Sequence, residues 1–157
     1  MYIIFFHTGM TKEKTNKGET EKVLTKAEGR TVVDVAQGLD RIIPRKTKTQ
    51  VWSSMSADSA RTAELVAEEL GVKRRFLKTL DTDDLTTLLT TAAEHGKGDC
   101  FIFVSNQPHL DAWSQQLTGL KLPFSEASAA GFSVEDPPTF RGELLWFIQP
   151  KYLKRIG

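Results

Sequence analysis

His7 is the residue whose type and position most clearly suit chemistry. It closes an apolar run, Met1-Tyr2-Ile3-Ile4-Phe5-Phe6, and is followed at once by Thr8-Gly9. The pattern predicts an imidazole at a strand-to-helix turn, where catalytic groups of open α/β sheets gather. The same construction recurs where predicted strands end at Ser53-Ser54 and Ser105-Asn106. We therefore expect three strand ends to converge on one pocket.

Helices and strands that would position these residues alternate along the chain. Apolar residues at helical spacing, with capping residues or glycine stops, predict helices at Thr25–Ile43, Ser56–Leu70, Asp83–His95 and Leu110–Gly119. Besides the first run, strands are predicted at Gln50–Ser53, Cys100–Ser105, Ala129–Glu135 and Glu143–Gln149, with a short extended segment at Val72–Leu77. The strand at Cys100–Ser105 is the most apolar, through Phe101-Ile102-Phe103-Val104, which is typical of a central parallel strand.

The last two predicted strands are joined by Asp136-Pro137-Pro138 with no helix between them, so they are expected to pair antiparallel. The predicted fold class is α/β. We expect a three-layer α/β/α sandwich with a mostly parallel central sheet, an antiparallel strand near the C-terminus and a single domain over residues 1–157. The polar stretch Thr11–Lys22 predicts a mobile loop, and Pro150 predicts a final short helix at Lys151–Ile156.

Composition excludes several classes of function. The net charge of +1 does not favour nucleic acid as a partner, and 39% hydrophobic with 26% charged residues is typical of a globular domain. The single cysteine, Cys100, cannot form an internal disulfide and is expected to be buried. No signal peptide or membrane span is predicted, so a cytoplasmic location is expected.

The order of these motifs resembles the histidine phosphatase superfamily, and in particular its short SixA type. The similar features, in chain order, are His7, Leu24-Thr25-Lys26-Ala27-Glu28-Gly29, Ser53-Ser54, Arg61-Thr62-Ala63-Glu64, Ser105-Asn106-Gln107-Pro108, Leu117-Thr118-Gly119 and Gly142-Glu143-Leu144-Leu145-Trp146. Each motif is weak by itself, and the resemblance depends on their order and spacing over nearly the whole chain.

The resemblance implies a phosphoryl-transfer site in which His7 attacks phosphorus, with no cofactor or metal. In the family, two arginines and a second histidine hold the phosphate oxygens, because this chemistry depends on positioning and charge stabilisation. Here Phe6 and Thr8 stand in place of the arginine and glycine of R-H-G. Asp58 takes the place of the second arginine and Asn106 that of the second histidine.

These replacements remove roughly three or four units of positive charge from the implied pocket, which Thr8, Gly9 and Ser54 would also line. One carboxylate about 5 Å from a phosphate charge costs about 3 kcal/mol at an effective dielectric near 20. Candidate replacements for the lost cations are Arg61, Lys12, Lys14 and His109. Arg61 is expected to pair with Asp58 one helical turn away, and the lysines are expected to be solvated. A metal site built from His7, Asp58 and His109 is the weakest alternative.

Three hypotheses follow from this pattern. The first is a phosphatase-like domain whose catalysis is impaired and which binds a phosphorylated protein or a small anionic ligand. The second is an active phosphohistidine or phosphomonoester phosphatase with His7 as nucleophile and a rebuilt phosphate pocket. The third is a plain interaction domain in which His7 has no catalytic ancestry. The third requires the strand ends at His7, Ser54 and Ser105 to lie apart.

Overall fold

The computed structural model describes residues 1–9, 11–96 and 99–152, but not the side chains of residues 11–14, 16 and 21–23. In chain order the elements are β1 (Tyr2–His7), β2 (Thr11–Asn16), β3 (Glu19–Leu24), α1 (Lys26–Ile42), β4 (Thr49–Ser53), α2 (Ala57–Leu70), β5 (Arg74–Phe76), a 3-10 turn (Lys78–Asp81), α3 (Leu85–His95), β6 (Cys100–Ser105), α4 (His109–Thr118), β7 (Ala129–Val134) and β8 (Gly142–Ile148).

Six strands form the central sheet in the order β5-β4-β6-β1-β7-β8. Strands β5, β4, β6 and β1 are mutually parallel. Strand β7 runs antiparallel to both β1 and β8. The prediction of a mostly parallel sheet with an antiparallel strand near the C-terminus is confirmed, and the extended segment predicted at Val72–Leu77 is the edge strand β5.

Helices cover both faces of the sheet because successive side chains of β1 and β6 point to opposite faces. Ile4 and Phe6 pack with α1 and α2 in one apolar cluster, whereas Ile3 and Phe5 pack with α3 and α4 in the other. All six residues of β6 are buried, as the continuous apolar run predicted. The three-layer sandwich expected from the sequence is therefore confirmed.

Capping residues lie at the helix ends that the sequence predicted for them. The Thr25 hydroxyl accepts a hydrogen bond from the backbone N–H of Glu28 at 3.1 Å, which opens α1. Gly71 and Gly119 follow α2 and α4 with φ of 68° and 76°, the left-handed conformation that glycine adopts without strain. These caps fix where the chain leaves each helix and enters the next strand.

The prediction of a mobile loop at Thr11–Lys22 is wrong. This stretch and the two residues after it form the antiparallel strands β2 and β3, with Thr11 paired to Leu24 and Asn16 to Glu19. The connection is a two-residue turn in which Lys17 and Gly18 both have positive φ, 54° and 82°. Such a turn matches the twist of the strands that it joins. A β-hairpin therefore leaves the sheet directly after His7.

The short C-terminal helix predicted after Pro150 can be compared with the structure only in its first residues. Residues 150–152 are helical from Pro150 onwards, and the remainder of the helix predicted at Lys151–Ile156 lies outside the described residues. No helix in the part of the chain that the structure describes is both long and apolar enough to cross a bilayer.

Candidate active site

Three strand ends meet at one edge of the sheet, as the sequence predicted. Strand β6 lies between β1 and β4, and its last residues bond to both neighbours. The backbone N–H of Thr8 donates to the carbonyl of Ser105 at 3.1 Å, and the N–H of Ser54 donates to the carbonyl of Val104 at 3.1 Å. His7, Ser54 and Asn106 therefore lie at the same end of three neighbouring strands.

His7 is held in an orientation that leaves one ring nitrogen available. Its backbone N–H donates to the carbonyl of Ser128 at 2.9 Å. Its Nδ1 lies 2.8 Å from the carbonyl oxygen of Thr8, and a carbonyl can only accept, so this nitrogen carries the proton. The lone pair is then on Nε2, to which no residue that the structure describes donates a hydrogen bond. This is the tautomer that a nucleophilic imidazole needs.

A polar network fills the position where the resemblance implies an anion clamp. The hydroxyl of Thr8 donates to Oδ1 of Asn106. The amide nitrogen of Asn106 donates to Oδ2 of Asp58 at 3.2 Å, with the hydroxyl of Ser59 at 3.4 Å as a second acceptor. The network links the ends of β1 and β6 to the first turn of α2. It contains a carboxylate and no cationic side chain.

The negative charge of Asp58 is stabilised by the helix in which it lies. It lies in the first turn of α2, where the exposed N–H groups favour a negative charge. Its Oδ1 accepts the backbone N–H of Ser59 at 2.9 Å, while Oδ2 accepts from Asn106. Both oxygens therefore have donors, and the carboxylate needs no arginine partner. The hydrogen bonds of Asp58 go to these groups and not to His7.

Arg61 does not supply a cation to the strand ends beside His7. Its guanidinium pairs with Glu64 at 2.8 Å, so the predicted pairing with Asp58 is wrong. The competing partner is three positions ahead on the same helix, a spacing that brings two side chains together as readily as the spacing to Asp58. Arg61 also lines a cavity of about 690 Å³ between β3, α1 and α2, together with Lys26 and Arg30. Its charge is thus directed away from the strand ends.

Phe6 and Gly9 flank the site through packing. Phe6 is completely buried in the cluster beneath α1 and α2, so this side chain belongs to the core. A Cβ on Gly9 would lie 2.6 Å from Cδ1 of Leu24 and 2.8 Å from Cγ of Glu28, too close for any other residue without displacement. The backbone N–H of Gly9 donates to the hydroxyl of Thr62 at 3.1 Å, which ties the turn after His7 to α2.

His109 is oriented by an acid and not by the network. Its Nδ1 lies 2.8 Å from Oδ1 of Asp83, at the segment between the 3-10 turn and α3. Its ring also stacks near Trp113, at 6.2 Å between centroids. In the same region Asp81 accepts the backbone N–H of Met55 at 2.9 Å, and Asp84 caps α3. These acids have structural partners, and none of them is identified as a general acid.

The remaining predicted candidates are a pair of lysines and a metal site. The side chains of Lys12 and Lys14 lie outside the described residues. Within residues 1–9, 11–96 and 99–152, no group of three histidine, cysteine, aspartate or glutamate side chains is placed to hold a metal ion. Ser54 is buried, and its hydroxyl lies 3.1 Å from that of Ser56.

Sequence reasoning missed two hydroxyl groups that support the site. Ser59 and Thr62 are both fully buried on α2, one turn apart, and bond to Asn106 and Gly9. Their signal was a pair of small polar residues on the apolar face of a predicted helix. Buried hydroxyl groups of this kind need partners, and here the partners are the turns after β1 and β6.

Comparison with solved structures gives the same fold. The protein histidine phosphatase SixA, in complex with tungstate, matches with a TM-score of 0.76 and 16% identity over 98% of this chain and 99% of that one. A putative phosphohistidine phosphatase SixA from Agrobacterium tumefaciens matches with a TM-score of 0.71 and 16% identity, covering 95% and 97% of the two chains.

A mycobacterial glucosyl-3-phosphoglycerate phosphatase matches with a TM-score of 0.70 and 14% identity over 92% of this chain and 98% of its own. The chain has the SixA-like fold. No protein-family model and no curated protein sequence matches it. At these identities the likeness extends to the whole SixA-like fold and not to individual site residues.

Proposed function

We propose that this SixA-like domain is a phosphatase relative with absent or severely reduced hydrolysis. It would serve as a binding or regulatory domain for a phosphorylated protein or a small anionic ligand. The observation that carries the proposal is the hydrogen-bonded chain Thr8–Asn106–Asp58 at the ends of β1 and β6. It puts a carboxylate where phosphoryl chemistry would require cations.

The electrostatic cost supports this proposal. A phosphate dianion beside His7 would approach the Asp58 carboxylate, and at about 5 Å one such pair of charges repels by about 3 kcal/mol at an effective dielectric near 20. A guanidinium at that position would attract by a similar amount and would add a bidentate hydrogen-bonding geometry. Arg61, the nearest candidate along α2, is paired with Glu64. The pocket therefore disfavours the charge that a phosphatase must stabilise.

An active phosphatase with a rebuilt pocket is the second candidate, and one observation favours it. Nδ1 of His7 faces the carbonyl of Thr8, so that in the neutral ring Nε2 carries the lone pair needed for attack on phosphorus. A third candidate, a domain in which His7 is incidental, is disfavoured because the ends of β1, β4 and β6 are adjacent. The first candidate is preferred because a nucleophile without oxyanion stabilisation lacks the larger part of the catalytic effect.

Hydrolysis of a phosphohistidine peptide and of an aryl phosphate tests the proposal directly. Wild type and His7→Ala are expected to give the same slow turnover, because an imidazole adds little to the rate when no cations stabilise the phosphate oxygens. Turnover in wild type at least about a hundredfold above that of His7→Ala would establish the active phosphatase instead. Thermal unfolding of both proteins verifies that the substitution leaves the fold intact.

A binding measurement tests the role of Asp58 separately from turnover. Asp58→Asn keeps the shape of the side chain and removes its charge, so it is expected to bind tungstate at least about tenfold more tightly than wild type. Asp136→Asn is the matched control, since it makes the same change on an exposed link between β7 and β8. An equal gain in both variants would show that only the net charge matters, which would contradict a local effect of Asp58.

A further inference from the structure

A second region of the molecule is better suited to an anion than the strand ends beside His7. A groove of about 660 Å³ lies at the amino-terminal ends of β4 and β5, beside the last turn of α3. Its ionisable lining residues are Lys48, Lys73, Arg74, Arg75 and His95, and no aspartate or glutamate lines it. The groove lies at the opposite end of the sheet from His7, because β4 starts here and ends at the candidate active site.

Arg75 is held in place before any ligand arrives. Its guanidinium carbon lies 5.6 Å above the ring of Trp52, and its Nη1 bonds to Nε2 of His95. Nδ1 of His95 lies 2.8 Å from the carbonyl oxygen of Thr91, so Nδ1 carries the proton and Nε2 accepts from Arg75. A fixed guanidinium loses less conformational freedom on binding than a free one. This cation is therefore preorganised at the groove.

Of the four lysine and arginine side chains that line the groove, Arg74 is directed elsewhere. Arg74 donates to the carbonyl of Ala60 at 2.8 Å and lies 3.7 Å from Glu64, so its charge is used against α2. The other three cations, Lys48, Lys73 and Arg75, form no ion pair with any residue that the structure describes. Asp99 accepts from Gln50 at 3.2 Å and lies beside the groove without lining it. The groove therefore presents three positive charges.

We propose that this groove binds a compact anion that carries two phosphate groups. Two phosphates bring roughly three to four negative charges at neutral pH, which matches the three cations. The volume is within the range of small-ligand sites. Trp52 is only 1% exposed beneath Arg75, so its indole face is closed to stacking by nucleobases. The same feature disfavours single-stranded nucleic acid as the ligand.

Calorimetric titration of the full chain with pyrophosphate tests this proposal. Wild type is expected to bind with a Kd in the micromolar range at low ionic strength. Arg75→Gln and Lys73→Gln are each expected to weaken binding about tenfold. Lys78→Gln is the matched control, because it removes the same charge from the neighbouring 3-10 turn outside the groove, and it is expected to change the affinity by less than about twofold.

A conservative variant separates geometry from charge. Arg75→Lys keeps the charge but loses the planar group that stacks on Trp52, and it is expected to weaken binding about fivefold. Near-ultraviolet circular dichroism checks the fold of each variant, and Lys73→Gln provides an independent test if Arg75→Gln does not fold.

Three outcomes would overturn the site. The first is the absence of binding at about 1 mM pyrophosphate, and the second is an equal loss of affinity in Lys78→Gln. The third is tighter binding of an oligo-aspartate peptide or single-stranded DNA than of pyrophosphate. None of these outcomes bears on the proposed loss of hydrolysis, since the two sites lie at opposite ends of the sheet.

Discussion

At the carboxyl ends of β1 and β6, the amide of Asn106 satisfies the carboxylate of Asp58, whereas at the amino ends of β4 and β5 the cations Lys48, Lys73 and Arg75 line a groove without a carboxylate. The first region is where open α/β sheets bind their ligands. The second is a position that the topology does not single out. The strand ends at which open α/β sheets bind ligands therefore hold a carboxylate network, whereas the three cations of this groove lie at the opposite end of the sheet.

The difference shows that a fold and the electrostatics of its site are independent properties. The SixA-like arrangement of strands and helices depends on apolar packing on both faces of the sheet, and it forms here with Asp58 and Asn106 at the strand ends. A polar network can then occupy the strand ends, provided that its members satisfy one another's hydrogen bonds.

The largest expected change in stability comes from placing a cation in β1. Phe6→Arg would put a guanidinium in a position that is completely buried among α1, α2 and the sheet. We expect the free energy of unfolding to fall by about 4 kcal/mol or more, because a buried charge without a partner is costly. Urea unfolding monitored by circular dichroism at neutral pH gives the value.

Phe6→Leu is the control for Phe6→Arg and is expected to cost about 1 kcal/mol, since it keeps an apolar side chain at the same position. If Phe6→Arg were no less stable than Phe6→Leu, the guanidinium would have reached the strand end. A single change would then place a cation at the strand ends, which would weaken the contrast between the two regions.

The core could be predicted from the sequence, and the hairpin after His7 could not. The run Phe101-Ile102-Phe103-Val104 predicts a buried central strand because continuous apolar character has few other solutions in a sheet. The segment Thr11–Leu24 has no apolar alternation to mark its strands, and composition suggested a loop. Its only local sign is Lys17-Gly18, a weaker signal than Asn-Gly for the two-residue turn that it forms.

The next largest effect is expected within the network of Thr8, Asn106 and Asp58. Asn106→Ala removes the donor to Asp58 and the acceptor for Thr8, and we expect it to lower the free energy of unfolding by about 2 kcal/mol. Combination with Asp58→Ala completes a double-mutant cycle, with an expected coupling of about 1 kcal/mol. Strictly additive effects would mean that the two side chains are near one another without a stabilising bond.

Parts of the candidate site followed from the order of motifs, whereas its hydrogen bonds did not. The convergence of His7, Ser54 and Asn106 is a consequence of parallel neighbouring strands, which the sequence pattern contains. The partner of Arg61 was a choice between two carboxylates at equal spacing, Asp58 and Glu64. The donor to Asp58 comes instead from Asn106, just after the end of β6, a contact that helix spacing alone does not reveal.

The smallest expected effect is on the pH dependence of stability, through the buried thiol of Cys100. Cys100 opens β6, and its backbone N–H donates to the carbonyl of Lys48 at 2.9 Å, directly behind the groove. Burial nevertheless raises the pKa of the Cys100 thiol to about 12, although a hydrogen bond with Thr49 acts to lower it. Desolvation of the thiolate therefore outweighs the hydrogen bond with Thr49, and the negative charge of Asp99 raises the pKa further.

The raised pKa of Cys100 makes stability depend on pH in the alkaline range. The unfolded thiol ionises near pH 9 while the folded thiol stays protonated to about pH 12, so the unfolded state loses its proton first and is favoured as pH rises. We expect wild type to lose about 1 kcal/mol more than Cys100→Ala between pH 8 and pH 10, measured by urea unfolding. The comparison with Cys100→Ala cancels the titration of lysines and tyrosines common to both proteins. Parallel pH profiles would mean that the thiol of the folded protein ionises near its usual pH, and hence that burial in β6 does not hold it protonated.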